Sequence, residues 1–158
     1  MMKPHSIRSE RLTLVYVPNP RPADGHGASG FFNIGFDGDF AGFVSLVGSP
    51  PLEAVVGYDI KPRFRRLGVA TEAVQALIAQ ASGFGLAGLQ AQCRSDNLAS
   101  RRVLEKSGFE LISSLPFRVD GADSPIRHMI YRCVLARPAL SAKPTSHDCA
   151  KIPESIAS

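Results

Sequence analysis

From Leu67 onward the apolar and small residues Ala70, Ala73, Val74, Leu77, Ile78 and Ala81 recur at steps of three and four. That spacing gives a helix one apolar face and one polar face, so the helix lies on a core. It is expected to stop near Gly83 and Gly85. Before it, Glu53 to Ile60 reads as a strand, and a basic turn with Arg63, Arg65 and Arg66 joins the two. Earlier in the chain Leu12 and Leu14 alternate with Thr13 and Val15, so Arg11 to Val17 is a first strand closed by Pro18. Residues 18 to 30 carry three prolines and three glycines and read as loop. Phe31 to Phe36 and Phe40 to Val47 make a hairpin, whose Asp37-Gly38-Asp39 supplies the positive-φ position of a tight turn.

Gly88 to Cys93 is the next strand. A second helix follows, capped by Asp96 or Asn97 and stopped by Gly108. Phe109 to Val119 reads as a strand in which Pro116 marks a bulge or an edge, Asp120 to Pro125 as a turn-rich loop, and Ile126 to Leu135 as the last strand. Beyond Ala136 there are prolines and scattered Ser, Ala and Lys without periodicity. The chain is therefore expected to be one domain over 1–136 and a disordered tail over 137–158.

Candidate chemistry concentrates at the starts of the two helices. Gly68 and Ala70 are small enough to let a ligand reach the backbone, and the unpaired N–H groups of that turn favour an anion. Arg63, Arg65 and Arg66 add positive charge there. A branched side chain at position 68 is expected to stand between those donors and the anion.

The two segments Arg65-x-x-Gly68-x-Ala70-Thr71-Glu72-Ala and Asn97-x-x-Ser100-x-Arg102-Val-Leu-Glu-Lys-x-Gly108-Phe109 together resemble the GNAT superfamily of acetyl-CoA-dependent N-acetyltransferases. The likeness is closest to the ribosomal-protein-alanine N-acetyltransferase branch, which also tends to open with a segment like Arg8-Ser9-Glu10-Arg11-Leu12. It implies an α/β (α+β) fold: a twisted, mainly antiparallel mixed sheet with helices packed on its faces, splayed where acyl-CoA enters. In that family two helices usually form the acceptor-side wall where this chain has only residues 18 to 30. The resemblance implies direct acetyl transfer from acetyl-CoA to a primary amine on a protein N-terminus or small molecule. The alternative is a non-catalytic CoA-binding sensor or partner module. The resemblance assigns the backbone N–H groups of Arg66, Leu67, Gly68, Val69, Ala70 and Thr71 to the pyrophosphate and the Asn97 side chain to the pantetheine arm; Arg65 and Ser100, the latter one turn after Asn97 and near where the sulfur would sit, complete the expected cofactor-binding set.

Acetyl transfer needs a neutral amine, a stabilised oxyanion and a proton for the departing thiolate. Many relatives carry a Tyr seven residues after the Asn, and here that position is Leu104. Ser100, one turn after Asn97, is the first choice for the acid and Tyr131 the second. For the base, Glu53 and Asp59 share a strand face, with Glu53 preferred although the nearest register puts Val55 at the family's position. Water-mediated deprotonation is the alternative. Arg101 and Arg102 are candidates for the adenosine 3′-phosphate or are simply solvated, and His128 reads as an ordinary strand residue.

Composition narrows this further. A net charge of +4 over 158 residues, with no long basic run, does not point to nucleic acid. No apolar run is long enough to span a bilayer, and the start lacks the apolar core of a signal peptide. Cys93, Cys133 and Cys149 have no metal-ligand spacing and fit reduced thiols, so a cytoplasmic protein without a metal is expected. Phe31, Phe32, Phe36, Phe40 and Phe43 read as core, with an acceptor wall or a homodimer contact as the other reading.

Overall fold

A computed structural model describes residues 6–18, 30–48, 53–119 and 122–136. Eight strands form one sheet in the order β1-β2-β3-β4-β5-β6-β8-β7, where β1 is Ser6–Arg8, β2 Leu12–Pro18, β3 Gly30–Phe36, β4 Asp39–Gly48, β5 Glu53–Ile60, β6 Gly88–Arg94, β7 Glu110–Val119 and β8 Ala122–Val134. Neighbours are antiparallel except β5 and β6. Helix α1 (Val69–Ala81) connects that parallel pair, and α2 (Leu98–Lys106) connects β6 to β7.

Alternation along the strands decides which face carries the helices. Leu12, Leu14, Phe32, Ile34, Val44, Leu46, Ala54, Val56 and Ile60 are buried and point to one face. Against them α1 buries Val69, Ala73, Val74, Leu77 and Ala81, the stripe that its sequence spacing predicts. Helix α2 lies on the same face, over Leu89, Ala91 and Cys93 of β6 and Tyr131 of β8. The opposite face carries no helix among the described residues and leaves Val15, Val17, Phe31, Val47 and Val55 exposed.

Several expectations are corrected in detail. The hairpin turn is two residues long, with Asp37 at φ 50° and Gly38 at φ 82°, the paired positive values of a type I′ turn. Strand β1, only three residues long, is too short to show a periodicity in the sequence. The last strand begins at Ala122 rather than Ile126, because β8 continues to pair with β7 up to Ala122–Val119 after β6 has ended. Pro125 is tolerated there beside an irregularity in the β7 register. Phe32 is core, while Phe31 and Phe40 are exposed. The expected loop over 18–30 and tail over 137–158 lie largely or wholly outside the described residues.

Candidate active site

Strands β5 and β6 pair over Glu53–Gly88, Ala54–Leu89 and Val55–Gln90 and then part. The gap between them opens onto a cleft of about 860 Å³ that runs between the start of α1 and the side of α2.

The chain enters the cleft wall through a short 3-10 turn at Pro62–Phe64. Phe64 is buried and anchors it, and the Arg65 Nε donates to the Ile60 carbonyl at 2.8 Å. Arg66 (φ 64°) and Gly68 (φ 77°) then reverse the backbone into α1, with Gly68 at the N-cap. The cleft is lined here by Arg65, Arg66, Gly68, Val69, Ala70 and Thr71. Leu67 lies in the same turn but does not line the cleft with them, and its carbonyl accepts from Arg11 Nη2 at 3.0 Å. Arg63 is drawn away to Asp39 at 3.0 Å. A Cβ at position 68 would meet Arg11 Nη2 at 3.3 Å, so the obstacle is on the rear of the turn and not in front of the backbone donors.

Asn97 caps α2: its Oδ1 accepts from the Ser100 N–H at 3.1 Å. Asp96, the other capping candidate, is held by Arg94 instead, at 2.7 Å. Arg102 and Lys106 line the outer part of the cleft, while Arg101 turns inward. Ser100 Oγ and the Tyr58 hydroxyl lie 2.7 Å apart, joining α2 to β5 across the gap. Burial pushes the Tyr58 phenol upward, opposed by its hydrogen bond to Ser100, and the phenol stays protonated at neutral pH. Burial likewise raises the Cys93 thiol beside it, against the influence of Arg101 and Ser100.

Tyr58, Asn97 and Ser100 also line a second cavity of about 390 Å³, with Val56, Gly57, Cys93, Arg94 and His128. Ser100, Val56, Tyr58 and Cys93 belong to the helix-bearing face, and Gly57, Arg94 and His128 to the bare face, so this cavity passes through the splay. The backbone contributes as well. The Lys61 N–H donates to Ala41 and the Gly57 carbonyl accepts from Ser45, both toward β4. Alternation therefore turns the Tyr58 N–H toward β6, beyond the last paired residues, and into the gap.

The structure thus brings together the α1 turn, Asn97 and Ser100. It does not bring Glu53, Tyr131 or Leu104 to the same role. Glu53 sits at the closed end of the β5–β6 pair, where Gln90 (2.7 Å) and Arg132 hold its carboxylate below the usual range. It lines neither cavity, and Tyr58, five residues on, is about 16 Å away along the strand. Tyr131 is buried beneath α2 with its hydroxyl between Arg101 Nε and Glu105. Leu104 packs in the wall of the smaller cavity. Asp59 lines the larger cleft beside Arg65, 3.8 Å away. Tyr58 has no assigned role in the sequence reading, and His128, expected to be an ordinary strand residue, lines the smaller cavity. Tyr58 alternates in phase with Ala54, Val56 and Ile60, and that phase was the available signal.

A family model described as an acetyltransferase (GNAT) domain matches residues 11–110. No curated protein sequence matches the chain. Among solved structures, RimL, a ribosomal-protein alpha-N-acetyltransferase in complex with coenzyme A, aligns with a TM-score of 0.61 at 22% identity, over 69% of this chain and 63% of that one. The Salmonella typhimurium acetyltransferase that modifies the N-terminal serine of a 50S ribosomal subunit protein gives 0.60 at 22% identity, over 71% and 66%. Mycobacterium smegmatis RimJ in complex with CoA-disulfide gives 0.56 at 28% identity, over 66% and 52%. The chain spans less than two thirds of the length of each of these proteins.

Proposed function

The chain belongs to the GNAT acetyltransferase family, and on that premise we propose that it transfers an acetyl group from acetyl-CoA directly to a primary amine. The observation that carries this reading is the parting of β5 from β6 after Val55, with the basic turn before α1 lining the larger cleft and Ser100 lining both cavities.

The cleft suits the cosubstrate. The free N–H groups at the start of α1 and the side chains of Arg65 and Arg66 meet the pyrophosphate, and Arg102 and Lys106 offer charge to the remaining phosphate. Asn97 uses its Oδ1 as a cap, which leaves its amide N–H groups for the pantetheine carbonyls. Bound acetyl-CoA supplies a thioester whose carbonyl carbon accepts a neutral amine and whose sulfur leaves as a thiolate. The Tyr58 N–H is placed to donate to the carbonyl oxygen as charge grows on it. Ser100 Oγ, with the Tyr58 hydroxyl behind it at 2.7 Å, donates to the departing sulfur. No acyl-enzyme is involved, and Cys93, its thiol raised by burial, stays protonated and does not attack.

The amine arrives from the bare face, through the smaller cavity. Among the described side chains lining that cavity, Tyr58 and Cys93 are held protonated and Arg94 is cationic, which leaves the His128 imidazole to take the amine's proton. Replacing His128 with Gln should lower kcat/KM at neutral pH by about ten- to a hundred-fold and leave the CoA dissociation constant nearly unchanged. An unchanged kcat/KM would hand the deprotonation to water. The protein N-terminus is the preferred acceptor class, since the ribosomal-protein acetyltransferases above act there. The exposed apolar rows around Phe31 and Val55 offer a surface to such an acceptor or to a second copy of the chain.

No helix among the described residues is long and apolar enough to cross a membrane, and Cys93 and Cys133 are free thiols. A reducing cytoplasm, where acetyl-CoA is made and used, fits both. Isothermal titration tests the first half of the reading. One acetyl-CoA bound per chain supports it, and no binding contradicts it. Binding without transfer to any amine would favour the non-catalytic CoA module.

A further inference from the structure

The rear of the α1 turn is held by a cluster whose side chains do not line the cleft. Arg11, in the turn between β1 and β2, makes its Nε–Glu72 Oε2 contact at 2.8 Å and donates from Nη2 to the Leu67 carbonyl at 3.0 Å. Glu72 Oε1 accepts from the Arg11 N–H at 2.8 Å and from Ser9 Oγ at 2.6 Å. The Arg11 guanidinium also stacks over the Phe36 ring, 5.6 Å from its centroid. Neither Arg11 nor Glu72 lines the cleft.

A trans peptide unit is planar, and its C=O and N–H point in opposite directions. The peptide between Leu67 and Gly68 has its oxygen drawn back to Arg11, so the Gly68 N–H is aimed forward at the cleft. Reversing that peptide changes ψ of Leu67 and φ of Gly68, and Gly68, which has no Cβ, takes either sign of φ at modest cost. A reversed peptide would present a carbonyl lone pair to an incoming anion in place of a donor. We propose that Arg11 is a positioning residue for the acyl-CoA site: its guanidinium fixes the orientation of the Leu67–Gly68 peptide, and Glu72 and Ser9 fix the guanidinium.

Glu72 suits this task. Burial works against its ionised form, but the hydrogen bonds from Ser9 and Arg11 outweigh it and hold the carboxyl below the usual range. It is therefore ionised at neutral pH and keeps Arg11 in place. The chain order has the same logic, because Arg11 comes 57 positions before Gly68 and reaches it only once β1 and β2 have paired.

This inference rests on the acetyl-CoA reading of the cleft and adds a claim that can fail separately. The experiment titrates wild type, Arg11→Ala, Arg11→Lys and Glu72→Gln with CoA by calorimetry and with pantetheine by NMR. Pantetheine lacks the pyrophosphate that the Gly68 N–H would meet. In Arg11→Ala the CoA dissociation constant should rise about ten- to a hundred-fold while that for pantetheine moves less than about three-fold. Lysine is a single point donor and cannot hold both Glu72 and the Leu67 carbonyl, so Arg11→Lys should recover only part of the affinity. If Arg11→Ala does not fold, Arg11→Lys and Glu72→Gln carry the comparison, with smaller losses of the same selectivity. Wild-type CoA affinity in the variants overturns the proposal, as does an equal loss for both ligands, which would make the cluster a structural brace. Failure of the wild type itself to bind CoA would overturn the acetyl-CoA reading and this inference with it.

Discussion

Gly68→Val is expected to weaken CoA binding at least about a hundred-fold while the sheet and both helices stay folded. Gly68 has φ 77°, where a β-branched residue is strained by about 1–3 kcal/mol. Its new Cβ would also press on Arg11 Nη2, already at 3.3 Å from the ideal position before the valine methyls are added. Both stresses are relieved by turning the backbone out of the left-handed region, and that movement redirects the N–H groups which face the cleft. Residue 68 is exposed at the N-cap, so the core of α1 from Ala73 to Ala81 does not feel the change. Calorimetric titration of CoA into the folded variant reads the effect. Wild-type affinity there would remove the turn from the binding site.

Ser100→Ala is expected to lower turnover about ten- to a thousand-fold with little change in the acetyl-CoA dissociation constant. The change removes the donor proposed for the sulfur and also strips the Tyr58 hydroxyl of its 2.7 Å partner. Tyr58→Phe, compared side by side, separates the two contributions. If Tyr58 only orients the serine, its loss should be the smaller; if it supplies the proton through Ser100, the two losses should match. Tyr131→Phe and Glu53→Gln serve as references, each expected within about three-fold of wild type because neither side chain lines a cavity. Should Ser100→Ala and Tyr58→Phe both stay within that range as well, the thiolate takes its proton from water, which its free pKa of about 8.5 permits.

Much of this arrangement is written in local pattern. The three- and four-residue spacing from Leu67 to Ala81 sets α1, Asn97 sets the start of α2, and the small residues Gly68 and Ala70 mark the turn proposed to bind the anion. Other features depend on contacts that no window of sequence contains. Arg11 and Glu72 are 61 positions apart and meet only across the folded sheet. Tyr58 looks like one more strand aromatic until the splay leaves its hydroxyl facing Ser100 instead of a neighbouring strand. Glu53 and Asp59 do share a strand face, as alternation requires, but the sequence does not show that β6 and β8 would close over the first. Gln90 and Arg132 come from those strands, and they turn Glu53 from a candidate base into a buttress of the closed end. His128 becomes a cavity residue because β8 pairs with β6 so that it lies opposite Arg94, at the end of the gap.

The most direct test of acetyl transfer is mass spectrometry on a panel of primary amines, including short peptides with free N-termini, incubated with the protein and acetyl-CoA while released thiol is counted. Catalytic transfer through this cleft predicts that at least one amine gains a single acetyl group, with one CoA thiol released per amide formed and both signals lost in Gly68→Val. Saturable acetyl-CoA binding with no acetylated amine and no thiol release above the uncatalysed rate would contradict it.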